Sequence, residues 1–255
     1  MQVKIDRTLR QSAIDHIMKV GSVSLRDKEC SMAEMTRKEL LLALISSGDR
    51  PRLSGLDLSG LDLAEIDLRG ANLRNTRLGG ADLSYADLSE AVLAGAVLLE
   101  TNLSRARLIS ANLTNADLTS ANLHEAQMST CVLTGANLAN ARLTFTKLSE
   151  CVASDAHFQG ANLNGANLTF AKIASCNFTE ANLSGADLSG ADLRDCDLRD
   201  ANLTFANFSD ADLSHTQLTG ADMSGANLRG VYIGGDELNE VKLAGAIMPD
   251  GTRHL

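Results

Sequence analysis

The chain has 255 residues, with 23 Lys plus Arg against 32 Asp plus Glu, a formal net charge of −9, 44% hydrophobic residues and only 3% aromatics. An aromatic core is excluded. So are a disordered chain, at 2 prolines and 22% charge, and a general nucleic-acid ligand, because phosphates repel an acidic surface. No apolar run approaches the roughly 20 residues of a membrane span and residues 1–10 are charged, so a cytoplasmic protein without membrane contact is expected.

Residues 1–50 read as a helical N-terminal region and cap. Thr36 and Glu39 have the spacing of a capping box, an apolar run follows from Glu39 to Ile45, and Gly48 can end the helix. A second helix is expected from about Asp6 to Val20, with Leu9, Ile14, Ile17 and Met18 on one side. It serves either as more cap or as a docking element.

From Leu53 to Met248 a large apolar residue recurs at every fifth position, (248 − 53)/5 + 1 = 40 times without a break, and only Ala153 departs from Leu, Met, Ile or Phe. Two residues before each centre stands a small residue, usually Ala, and between them most often Asp or Asn, as in ANLTN (111–115) and ADLSG (186–190). Five residues advance an α-helix by about 500°, which scatters the leucines around the axis. In a long strand an odd period sends successive leucines to opposite faces. The pattern works only if the chain turns a corner in every repeat, so that four repeats close one square coil. Stacked coils then bury one leucine column behind short sides that pair with each other.

These residues resemble the pentapeptide-repeat family, and the resemblance covers about three quarters of the chain. It implies an all-β fold, a right-handed quadrilateral β-helix over residues 51–248, followed by a tail over 249–255. Ten coils at about 4.8 Å each predict a rod of roughly 48 Å. The ending GAIMPDGTRHL (245–255) is similar to that of many cyanobacterial members, and the unbroken layout is similar to the member that regulates heterocyst differentiation.

Within the rod, Phe158 should stack on Phe178, one coil away, and compensate in volume for Ala153. Cys131 and Cys151, and Cys176 and Cys196, are also one coil apart at inward positions, and they read as reduced core thiols in place of Ala. Leu56, Leu61 and Ile66 near the start, and Val231 and Val241 near the end, enlarge the inward small position where the column needs closing. Asp236, after Gly234 and Gly235, should turn outward in a bulge.

A filled rod offers no concave site for catalysis, so no enzyme activity, metal or cofactor is expected. Asp155 and His157 read as a surface hydrogen bond, and the recurrent Asp and Asn as turn-forming, solvated residues. Function then falls to the outer surface. Val92, Val97, Leu99 and Ile109, with Val132 and Val152 on the face of Val92, form a candidate apolar partner site. Tyr85, Phe145 and Phe205 follow one another at three-coil intervals, so they share one corner and form a second candidate, with Phe170 on the next corner. Charge divides unevenly: residues 101–150 carry 4 basic and 3 acidic groups, whereas residues 151–255 carry 6 and 14.

The expected function is a non-catalytic protein-interaction scaffold of regulatory kind. It would bind an unidentified protein partner and no nucleic acid directly, as a monomer or weak homodimer. The alternative rests on the resemblance: relatives that protect DNA gyrase from quinolones are acidic rods that bind where DNA would.

Overall fold

The computed structural model describes residues 50–234 and 237–255. In it the chain turns a corner in each described repeat and each side, except on the last turn of face II, pairs in parallel with the same side of the next coil, from Arg52↔Asn72 to Asn227↔Ile247. The architecture is therefore an all-β quadrilateral helix. Its four faces are traced by the bridging residues: face I through Asn72, Val92 and Asn112; face II through Arg77, Val97 and Asp117; face III through Asp82, Asn102 and Asn122; face IV through Asp87, Arg107 and Gln127. The helices expected from about Asp6 to Val20 and from Thr36 to Gly48, and the outward turn of Asp236, lie outside the described residues.

One repeat shows why this short unit suffices. In ANLTN, the Ala111 N–H closes the preceding turn onto the Leu108 carbonyl (3.0 Å), Asn112 pairs with Ala91 (2.9 Å), and Leu113 and Asn115 pair with Val132 (2.7 Å) and Thr134 (3.0 Å) on the next coil. The remaining donor, the Thr114 N–H, goes to Asn112 Oδ1 at 3.0 Å. No backbone N–H of the unit is left without an acceptor, as burial demands. That last bond explains the recurrent Asp and Asn. Each Asp or Asn occupying this outward position from Asp57 to Asn227 accepts the N–H two residues on. Asn adds a second bond, donating its amide down the stack: Asn122 to Asn102 (3.1 Å), and Asn102 to Asp82 (2.9 Å).

The fifth residue makes the corner. Its φ lies between 54° and 62° in non-glycine residues such as Asn75 and His215, a left-handed conformation that costs an L residue about 1–2 kcal/mol. Burial of the centre offsets that cost: every centre from Leu58 to Leu228 is at most 1% exposed, and only near the end are Ile233, Leu238 and Met248 partly open to solvent. Removing one such Leu side chain costs about 2–5 kcal/mol.

The core departs from Leu and Ala in satisfied ways. Phe158 and Phe178 stack with ring centroids 4.7 Å apart and planes within 7°, with Ala153 buried beside them. The four described cysteines are free and buried. Cys176 and Cys196 each donate to a backbone carbonyl on the preceding coil, Ala153 at 2.8 Å and Ile173 at 3.0 Å, as the hydroxyls of Thr76, Thr101 and Thr146 also do. Each thiol's interaction with its stacked neighbour, Cys151 or Cys196, together with burial, pushes Cys131 and Cys176 far above the usual thiol range.

The register is not unbroken to Met248. On the last turn of face II the Gly220 N–H reaches Glu240, whereas the Gly60 N–H at the equivalent place reaches Gly79, so the bond has slipped one position along the chain. His215 N–H meets a side chain, Glu237 Oε1, at 3.2 Å. Gly234 makes this possible, because any Cβ there would collide with the Glu237 carboxylate. The ladder resumes at Asp222↔Lys242, and the tail then folds back, pairing Ile247 with Arg253 in antiparallel sense and covering the last edge of face IV.

Candidate functional site

The nine outward residues singled out in the sequence fall into four groups, three of apolar side chains and one of aromatics. Val92, Val132 and Val152 lie in one column on face I, with Asn112 between the first two, and all are half-buried. Val97 and Leu99 flank Leu98 on face II and stand 39% and 41% exposed. Ile109, half-buried, lies on face IV, opposite Val97. These six therefore wrap three sides of the rod and do not make one flat patch. Periodicity places residues on a coil, and only the square cross-section separates its sides.

Tyr85 and Phe145 share the corner between faces III and IV, as their spacing predicted. Phe205 lies farther along that corner but is parted from Phe145 by Gly165 and Gly185. Each exposed Phe leans along the rod over a glycine on the next coil. A Cβ added to Gly165 would sit 2.6 Å from the Phe145 ring, one on Gly190 2.5 Å from Phe170, and one on Gly225 2.6 Å from Phe205. The aromatics thus pack over neighbouring turns rather than forming a continuous ladder.

Between Tyr85 and Phe145 the corner is filled by two residues that periodicity alone did not single out. Arg105 donates through Nη1 to the Tyr85 hydroxyl (2.5 Å) and through Nε to Glu125 Oε2 (2.8 Å), and its guanidinium lies 5.6 Å from the Tyr85 ring centroid. These bonds, the one to Glu125 first, hold the Arg105 pKa above its usual value, and the same bond holds Glu125 below the carboxylate range. His124 lies beside Glu125, with Nε2 3.2 Å from Oε1 and Nδ1 2.6 Å from Thr144 Oγ1, and meets Phe145 edge-on at 6.1 Å. Tyr85, Arg105, Glu125, Gln127, Phe145 and Lys147 line an open groove of about 480 Å³. The signal was available: Tyr85, Arg105, Glu125 and Phe145 occupy the same place in four successive coils.

Face IV beside the groove breaks the Asp/Asn rule three coils in succession, at Arg107, Gln127 and Lys147. Asp155 and His157 do not form the expected hydrogen bond. Asp155 occupies a left-handed corner, while His157 stands between Asn137 and Asn177 on face II, and no bond links the two among the described residues. No cluster of three or more His, Cys, Asp or Glu side chains among the described residues is arranged to hold a metal ion. No helix among them is long and apolar enough to cross a membrane.

A family model described as pentapeptide repeats matches residues 52–84, 86–124, 100–135, 136–173, 161–200 and 196–233. Among solved structures, trypsin-treated QnrB1, a plasmid-mediated fluoroquinolone resistance protein, is similar at a TM-score of 0.65 and 22% identity, over 74% of this chain and 92% of that one. At that identity the likeness shows the fold alone. HetL, a pentapeptide repeat protein involved in heterocyst differentiation regulation from the cyanobacterium Nostoc sp., is 33% identical over 86% of this chain and 100% of that one, with a TM-score of 0.26. A pentapeptide repeat protein from the Arabidopsis thaliana thylakoid lumen is 28% identical over 48% of this chain and 81% of that one, with a TM-score of 0.28. No curated protein matches the chain.

Proposed function

The chain belongs to the pentapeptide-repeat family, whose members form right-handed quadrilateral β-helices, and on that premise we propose that it is a non-catalytic, regulatory scaffold holding a protein partner on its outer surface. One observation carries the reading. Val97 and Leu99 put two large apolar side chains side by side on face II, exposed at 39% and 41%, where the other coils of that face from Asp57 to Thr219 place polar or small residues. With the interior filled, selectivity has to come from the surface. Affinity capture from the source cell's lysate tests it, using wild type beside Val97→Asp/Leu99→Asp. Both sites are exposed, so the variant keeps its fold. A partner held by wild type and lost by the variant is the expected result, and one held equally by both refutes this surface.

A second reading, an acidic DNA mimic directed at gyrase, is favoured by one observation: residues 151–255 carry 14 acidic against 6 basic groups. Part of that charge is neutralised in place, since Arg194 pairs with Asp192 at 2.7 Å and Arg199 with Asp197 at 2.5 Å. A gyrase supercoiling assay decides it, and neither inhibition nor quinolone protection at saturating protein eliminates the mimic.

A further inference from the structure

The geometry points to the groove between Tyr85 and Phe145 as a binding site for an acidic peptide in extended, polyproline-like conformation, with a carboxylate at every third position. This rests on the scaffold reading and adds a second surface, with a stated partner chemistry.

The first observation is where the charge goes. The four basic residues of 101–150 are spread along the sequence, but the coil gathers all of them at one corner: Arg105 on it, Arg107 and Lys147 on face IV, Arg142 on face III. Of the three acidic residues in that stretch, Asp117 lies on face II and Glu150 at the far corner of face IV, so only Glu125 shares the groove. Glu125 is already engaged by Arg105 at 2.8 Å. Arg107 is 3.6 Å from Asp87, and no carboxylate among the described residues pairs with Lys147. A rod of net charge −9 thus carries an aromatic-ended groove lined by Arg105 and Lys147 against Glu125, with Arg107 on the face beside it.

The second observation is spacing. Arg107 and Lys147 are two coils apart with Gln127 between them, a distance of about 9.6 Å along the rod. A polyproline II chain rises ~3.1 Å per residue with three residues per turn, so every third side chain returns to the same side after about 9.3 Å. The match lets two carboxylates meet Arg107 and Lys147, while the Gln127 amide offers a donor and an acceptor to the intervening backbone, which has no internal hydrogen bonds. Tyr85 and Phe145, exposed at 52% and 56%, close the ends as aromatic platforms of the kind that receive proline rings. A nucleic acid carries a phosphate at every nucleotide and extends past the groove onto the acidic remainder of the rod, which repels it.

The test is fluorescence anisotropy on the full chain with a labelled peptide of three Asp-Pro-Pro units, its Asn-Pro-Pro twin, and a labelled oligothymidylate. The Asp peptide should bind, the twin roughly tenfold more weakly, and Lys147→Glu should weaken the Asp peptide by roughly tenfold, since truncated or reversed charge pairs act on this scale. Lys172→Glu makes the same charge change on face I and should leave binding unchanged. No binding of the Asp peptide, equal losses in the two lysine variants, or tighter binding of the oligothymidylate would each overturn the proposal. If it fails while Val97→Asp/Leu99→Asp still loses a captured partner, the scaffold reading stands. If the peptide binds and no partner depends on Val97 and Leu99, that surface assignment fails instead.

Discussion

Gly165 and Gly185 occupy the same corner on adjacent coils, with φ of 66° and 64°, and differ in what lies above them. Nothing approaches within 4 Å of a Cβ on Gly185, whereas one on Gly165 would stand 2.6 Å from Phe145 Cε1 and 2.7 Å from Cδ1. Gly185→Ala should therefore cost only the left-handed penalty, about 1–2 kcal/mol. Gly165→Ala must also lift the Phe145 ring off the corner. Phe145 is 56% exposed, so rather under half of its surface is shielded. For a side chain that buries about 200 Å² at most, that is roughly 90 Å², or up to about 2 kcal/mol at ~25 cal/mol/Å². Gly165→Ala should exceed Gly185→Ala by up to about 2 kcal/mol, and in a Phe145→Ala background the two should become equal. Urea denaturation of the full chain, followed by circular dichroism, measures all five variants against wild type. Equal midpoint shifts for the two glycine variants with Phe145 present would refute the packing argument and show that the ring leaves the corner freely. The same ring ends the groove, so Gly165→Ala should also weaken the Asp-peptide complex.

Three other outcomes follow from the backbone accounting and the buried groups. Asp222→Asn should be nearly neutral because Oδ1 still accepts the Ser224 N–H, whereas Asp222→Ala orphans that donor and should cost about 1 kcal/mol in the same urea assay. Asp192 and Asp197 are held below the usual carboxylate range, first by hydrogen bonds from Arg194 and Arg199. Their contribution is therefore complete above the ordinary value of 3.8 and is lost as pH falls through their lower folded values. Asp192→Asn/Asp197→Asn should accordingly flatten the acid limb of a stability profile below about pH 4, and an unchanged limb would contradict the pairing. In a Cys30→Ser background, Cys131, Cys151, Cys176 and Cys196 should not react with a thiol reagent at mildly alkaline pH until the rod unfolds. Rapid labelling of any of them would show the core to be more open than its burial implies.

The repeat was legible because its rules are local. A period of five with Leu at the centre and a small residue two before it leaves no other way to bury the leucines than to turn a corner per repeat, and closure after four repeats follows. That closure correctly stacked Phe158 on Phe178 and set the thiols of Cys131 and Cys176 beside those of Cys151 and Cys196. Composition likewise announced an acidic chain. The role of the recurrent Asp and Asn was only half visible: their preference for turns was read, but the donor they satisfy appears only when every N–H group of a repeat is traced.

What tertiary structure alone decided is which outward residues meet. Val97 and Ile109 belong to one coil and yet occupy opposite faces, so an apolar patch drawn along the sequence comes apart. Arg107 and Lys147, far apart in the chain, come to the same edge as Arg105, Glu125 and Tyr85. The break at Gly234 and Glu237 was hidden too, since Leu238 keeps the period while a carboxylate takes over a backbone bond. The physical reason is common to all three. The core repeats with a period of five and constrains each residue's distance from the axis, whereas neighbours on the surface are set by the four-repeat coil and by the direction in which each left-handed corner aims its side chain.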